Sequence, residues 1–182
     1  MPNYRRNYQK GGTYFFTVVT GNRAKILCGK MIDVLRECFK DCMCVLSFRM
    51  DAIVVLPDHL HCLWSLAEGD DNFSVRWKHI KASFTKHYLR QADRVETRTT
   101  GHMKKKGEAG VWQQRFWEHT IRDDRDFRLH CDYIHYNPVK HGYAQAPGDW
   151  PHSSFSKYVA QGAYDSDWGR QPVYFPEMFI RE

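Results

Sequence analysis

The sequence predicts one α+β domain. β-Branched and aromatic runs alternate with amphipathic stretches of helical spacing, and two of the runs are joined by so short a link that they must pair antiparallel. At 182 residues, with 42% hydrophobic and 15% aromatic side chains, the chain can bury a substantial core, which excludes disorder throughout.

The elements follow in order. A polar, basic start ends in Gly11-Gly12, and residues 13–20 (Thr-Tyr-Phe-Phe-Thr-Val-Val-Thr) read as a strand. Gly21-Asn22 is a turn signal. Over residues 30–43, Met31, Val34, Leu35, Cys38, Phe39 and Cys42 recur at helical spacing. Residues 44–56 read as a strand, strongest from Ala52 to Leu56; Pro57-Asp58 turns the chain, and residues 59–65 form the next strand. The polar loop 68–72 can cap a helix whose stripe is Phe73, Trp77, Ile80, Phe84 and Tyr88. Residues 91–110 carry few apolar side chains and read as a flexible basic insert. Residues 115–121 give a fourth strand, and Asp123-Asp124 caps a helix running to about residue 136 and closed by Asn137-Pro138. The tail from 143 is rich in Trp, Tyr, Pro and Gly, with a short helix near 153–161. The order β-α-β-β-α-β plus a helix is that of a ferredoxin-like sandwich, with helices covering one face of an antiparallel sheet.

Lys plus Arg exceeds Asp plus Glu by 27 − 21 = 6, which favours a polyanionic partner. No apolar run approaches the roughly 20 residues of a membrane span, and the N-terminus leads into no signal-peptide core. The six cysteines match no standard zinc spacing and read as buried free thiols.

The chemistry is concentrated in two segments. In Asp58-His59-Leu60-His61-Cys62-Leu63, strand alternation sends His59 and His61 to one face and Leu60, Cys62 and Trp64 to the other, where helices should pack. Two imidazoles on one face are bidentate toward one cation, although an H-x-H triplet alone is a weak signal in a chain with ten histidines. In Asp132-Tyr133-Ile134-His135-Tyr136-Asn137-Pro138, helical spacing puts Tyr133 and Asn137 on one face, a phenol nucleophile beside an amide ligand. Tyr136 is a rival nucleophile.

These segments, read with Tyr4-Arg5-Arg6, residues 11–17 (Gly-Gly-Thr-Tyr-Phe-Phe-Thr), residues 55–64 (Val-Leu-Pro-Asp-His-Leu-His-Cys-Leu-Trp), residues 112–119 (Trp-Gln-Gln-Arg-Phe-Trp-Glu-His) and residues 132–142, resemble the REP-associated tyrosine transposases, single-tyrosine HUH enzymes. The resemblance runs from residue 4 to about 158; the tail 159–182 matches weakly. It implies one HUH domain over 1–182 acting on single-stranded DNA folded into repetitive extragenic palindrome hairpins. It also implies a divalent cation, Mg²⁺ or Mn²⁺, held by His59, His61 and Asn137, with Tyr133 as nucleophile. Cleavage and rejoining would pass through a 5′-phosphotyrosine. Tyr4, Arg5 and Arg6 would read the bases at the hairpin foot. A monomeric, cytoplasmic, nucleoid-associated bacterial protein with no membrane partner is implied as well. Candidate phosphate contacts are Arg76, Lys78, Lys81, Arg115 and Lys104 to Lys106, and candidate stacking residues are Trp77 and Trp112, although Trp77 lies on the apolar stripe of its helix. Two other functions fit parts of the pattern: a non-catalytic hairpin-binding protein, and a phosphodiesterase that uses the histidines on a water nucleophile.

Overall fold

The computed structural model describes residues 6–91 and 110–176. Strands β1 (Thr13–Val19), β2 (Phe48–Val55), β3 (His59–Leu66) and β4 (Trp117–Thr120) form one sheet in the order β2-β3-β1-β4, every neighbouring pair antiparallel. The helices are α1 (Lys30–Val45), α2 (Phe73–Gln91), α3 (Asp124–Lys140) and the short α4 (Phe155–Ala160). The chain therefore has an α+β fold built on a four-stranded antiparallel sheet.

Both faces of the sheet are covered. Tyr14, Phe16 and Val18 of β1 and Leu60, Cys62 and Trp64 of β3 pack with Leu35, Cys38 and Phe39 of α1 and Trp77, Ile80 and Phe84 of α2. On the other face, Phe15, Ala52, Val54 and Leu63 pack with Cys131, Tyr133 and Ile134 of α3. The sequence reading put helices on one face only. Helix α3 adds a third layer, which is why all of β3 except Ser65 is buried. A register shift between Met50 and Ala52 reverses the parity of β2. Phe48 and Met50 lie on the α1/α2 side, as do Ile53 and Val55 beyond the shift.

Boundaries differ from the sequence reading in instructive ways. Helix α1 runs two residues beyond 43, and β2 starts only at Phe48. Asn72 caps α2, its side-chain oxygen accepting from Val75 N at 3.2 Å, and Asp123 caps α3, accepting from Asp126 N at 2.8 Å. Pro138 does not close α3. The helix continues to Lys140, with His141 N donating to Asn137 O at 3.0 Å. Proline's fixed φ suits a helix, so it removes one donor here without ending the element. Gly21 has a structural reason to be glycine: a Cβ there would lie 1.8 Å from the Gly110 carbonyl oxygen. That close approach lets the returning chain pair at Thr20 and Trp112. Of the six free cysteines, Cys38, Cys42, Cys62 and Cys131 are buried as expected, whereas Cys28 and Cys44 are exposed. No helix among the described residues is long and apolar enough to cross a membrane.

Candidate active site

The site forms where β3 meets α3. His59 and His61 are 2% and 0% exposed, with ring centroids 5.0 Å apart, on the α3 side of the sheet. Each ring is anchored through Nδ1. His59 Nδ1 donates to Asp58 Oδ1 at 2.7 Å, and His61 Nδ1 lies 2.9 Å from Thr17 Oγ1, on the residue directly opposite in β1. A ring held at Nδ1 presents Nε2 as its ligating nitrogen. The Asp58 turn is itself tied down: Thr20 Oγ1 donates to its carbonyl at 2.8 Å, and Arg23 Nη1 reaches its carboxylate at 3.3 Å. Burial pushes the Asp58 carboxyl up, but His59 and Arg23 together outweigh this and hold it below its usual range.

Helix α3 supplies the facing stripe. Tyr133, 3% exposed, stands edge-on to His61 with centroids 5.3 Å apart. Two turns on, the ring of His141 lies 5.0 Å from that of His59. Asn137 is fully buried between them at the same four-residue spacing, so it faces the histidine pair. Lys140 Nζ donates to Tyr133 Oη at 2.9 Å. Burial, reinforced by the charges of Lys140, His141 and Arg23, pushes the His61 pKa well below its ordinary value, so the imidazole is neutral and able to ligate. Two imidazoles and an amide oxygen on opposing elements fit a divalent cation with positions left open. Tyr136 lies off this stripe; its ring packs 5.7 Å from Phe175 and 6.3 Å from Trp168.

A second histidine group lies on the same sheet face, across Phe15, whose ring is 5.5 Å from His61 and 4.8 Å from His130. His119 Nε2 approaches Asp126 Oδ2 at 2.8 Å, and His130 Nδ1 lies 3.3 Å from Oδ1, so His119, Asp126 and His130 could hold a metal ion. Arg122 also bonds Oδ2, through its backbone N at 3.1 Å and Nε at 3.0 Å. That fixed positive charge opposes a cation, so the group is better described as a hydrogen-bonded clasp between β4 and the start of α3. Burial pushes the Asp126 carboxyl up, but Arg122 and His119 outweigh it and hold it well below the usual range; burial brings His130 down to about 4.

The expected DNA contacts divide. Arg76 is 3% exposed, and its guanidinium is committed to Leu46 O at 3.2 Å, Ser47 O at 2.6 Å, Asn72 O at 3.0 Å and Asp70 at 2.5 Å. It closes the C-terminus of α1 against the start of α2 and is corrected from phosphate contact to scaffold. Trp77 and Trp112 are likewise core, 1% and 8% exposed, and are not stacking platforms. Lys78 and Arg115 are exposed, while Lys81 donates to Gln113 O at 2.9 Å. Arg6 is partly buried, bonded to Ser74 at 2.6 Å and lying 4.3 Å over the Phe116 ring. Tyr4, Arg5, Lys104, Lys105 and Lys106, with most of the expected insert, lie outside the described residues. Sequence reasoning missed Thr17, Lys140 and His141. It also missed Trp117, 44% exposed beside a cleft of about 390 Å³ along β4. Each lies in a segment that carries the family resemblance, but none was given a role there.

Comparison with known proteins shows the family to which the chain belongs. A family model described as "Transposase IS200 like" matches residues 8–137. The chain is 45% identical over 168 residues to the REP-associated tyrosine transposase of Escherichia coli K12, covering 92% of this chain and 91% of that one. It is 45% identical over 172 residues to a Haemophilus influenzae chain whose name assigns it to the same group, covering 94% and 96%. It is also similar to a solved structure of a REP-associated tyrosine transposase bound to a REP hairpin, with TM-score 0.78, 42% identity, and 96% and 95% of the two chains covered. The chain thus belongs to the IS200-like transposase family, as one of its REP-associated tyrosine transposases.

Proposed function

We propose that this DNA-cleaving tyrosine transposase binds REP-type hairpins and cuts and rejoins the adjacent single strand through a 5′-phosphotyrosine on Tyr133. The observation that carries the reading is the Tyr133 ring against His61 at 5.3 Å, one helical turn before the buried Asn137. The β4-β1-β3-β2 order with crossover helices α1 and α2 supports a ferredoxin-like core to which α3 adds the nucleophile. We read the chain as one such domain, with a basic insert at 91–110, acting as a monomer.

In this reading His59, His61 and Asn137 hold Mg²⁺ or Mn²⁺, which when bound supplies Lewis-acid polarisation of the scissile phosphate. Asp58 and Thr17 fix the two rings. Tyr133 attacks phosphorus from a helix that keeps its hydroxyl at the rim of the histidine pair. The departing 3′-oxygen becomes a hydroxyl, and attack by another 3′-hydroxyl on the phosphotyrosine reverses the step, so rejoining needs no outside energy. Lys78, Lys81 and Arg115 are the described candidates for phosphate contact, and Tyr4, Arg5 and Arg6 remain the proposed readers of the hairpin foot.

The test is denaturing-gel capture of a labelled REP-type hairpin with Mn²⁺ or Mg²⁺, for the native chain and Tyr133→Phe. A covalent band that requires both cation and Tyr133 is the expected result. Hairpin binding with no adduct under either cation would point instead to a non-catalytic binder, and cleavage that survives Tyr133→Phe to another nucleophile.

A further inference from the structure

Tyr133 has a second partner besides the histidine pair. Lys140 sits seven residues on, about 10 Å along the helix axis and only about 20° round it, so it lies on the same face as Tyr133. Helical side chains lean toward the N-terminus of their helix, so a long side chain there can run back along this face. Lys140 does so: Nζ donates to Tyr133 Oη at 2.9 Å and lies 4.7 Å from the centre of the ring. The phenol it reaches is 3% exposed, so a charged donor is brought to an oxygen that water approaches poorly. Among the described residues, His61 on β3 stands edge-on to this ring, and Lys140, His141, Arg23 and Asp58 act electrostatically on His61. Of these, Asp58 and Arg23 bond each other at 3.3 Å, and Asp58 also accepts from His59.

We propose that Lys140 is a further catalytic residue: its ammonium binds the Tyr133 oxygen and stabilises the negative charge this oxygen carries as it attacks phosphorus and as it leaves. The inference rests on Tyr133 being the nucleophile. In cleavage the Oη–P bond forms and the P–O3′ bond breaks. The phenolic proton passes to solvent, the departing O3′ takes a proton from solvent, and Lys140 keeps its protons throughout. In rejoining the same oxygen is the leaving group and carries the same charge, so one donor serves both directions. The arrangement works at the nucleophile end of the reaction, whereas the cation acts on the phosphate.

The experiment measures single-turnover adduct formation and rejoining at saturating hairpin and Mn²⁺ for the native chain, Lys140→Met, Lys140→Arg, Lys140→Ala and Tyr133→Phe. Hairpin affinity is measured at several salt concentrations. Lys140→Met is expected to slow both directions about 10²-fold, with affinity and its salt dependence unchanged. Arg should restore part of the rate, and added methylammonium should partly rescue Lys140→Ala. A Lys140→Met rate equal to native overturns the proposal. So does a loss confined to affinity, with the salt slope reduced by about 1, which marks a phosphate contact. Lack of methylammonium rescue in a Lys140→Ala chain that melts normally also counts against it. Adducts on Tyr133→Phe would sink the nucleophile reading itself, a failure distinct from normal rates on Lys140→Met with none on Tyr133→Phe.

Discussion

The Asp58 carboxylate accepts the Nδ1–H of the very next residue, His59, at 2.7 Å, at the turn that starts β3. A neighbour in sequence thereby fixes the tautomer and tilt of a buried ring. Asp58→Asn is expected to raise the Mn²⁺ concentration for half-maximal adduct formation about 10- to 100-fold, with a smaller effect on the rate at saturating cation. A cation titration of adduct yield checks this; an unchanged midpoint would separate Asp58 from the ligand set.

Arg76 should behave as scaffold. Replacing it with Met strands the Leu46 and Ser47 carbonyls and the Asp70 carboxylate, and is expected to cost about 3 kcal/mol of folding stability. Hairpin affinity at a temperature where the variant is folded should stay native. Thermal melts paired with gel shifts decide the matter, and a stable variant with weakened, less salt-sensitive binding would return Arg76 to the DNA surface.

Acid should loosen the β4–α3 clasp. His130 is held down to about 4 against an ordinary 6.5, so its neutral form is favoured by folding. The unfolded chain takes up the proton first, and this stabilisation is complete above pH 6.5 and lost as pH falls through 4. Asp126, held below its usual range, adds a loss that begins only under about pH 4. Melting temperature should therefore be level above pH 6.5 and decline below it; a level profile down to pH 4 would contradict the assignment.

The C-terminal segment reaches Tyr133, the proposed nucleophile. Phe175 stands edge-on to Tyr133 with centroids 5.6 Å apart and also packs on Tyr136. Substrate entry then has to break an aromatic contact of the usual modest strength, and Phe175→Ala should speed adduct formation about 2- to 10-fold at subsaturating hairpin. A rate that falls instead would make the phenylalanine a support for Tyr133 rather than a cover.

Much of the proposed site's geometry was legible because its parts obey short-range periods. His59 and His61 share a face through strand alternation, and Tyr133 and Asn137 through helical spacing, and the structure brings the pairs together. Long-range contributions left no such trace. Thr17 meets His61 only through the β1–β3 register, and the commitment of Arg76 to four backbone and side-chain acceptors depends on how α1 approaches α2. On sequence, Arg76 and Lys78 are equivalent basic residues on one helix; packing buries one and exposes the other. The third layer was also hidden, because a helix following the last strand can dock on either face. Pro138 misled about where α3 ends, because a proline's fixed φ fits a helix and here removes one donor without ending it.

Because Tyr133, Asn137 and His141 occupy one stripe of one rigid rod, they are indexed together against β3. A single residue inserted between Tyr133 and Asn137 would turn the later part of the helix by about 100° and carry the amide off the histidine pair while the phenol stayed. Substitutions at these positions can be graded, one function at a time. A change of length inside this helix is all or nothing, so drift in this stretch is confined to exchanges that preserve the count.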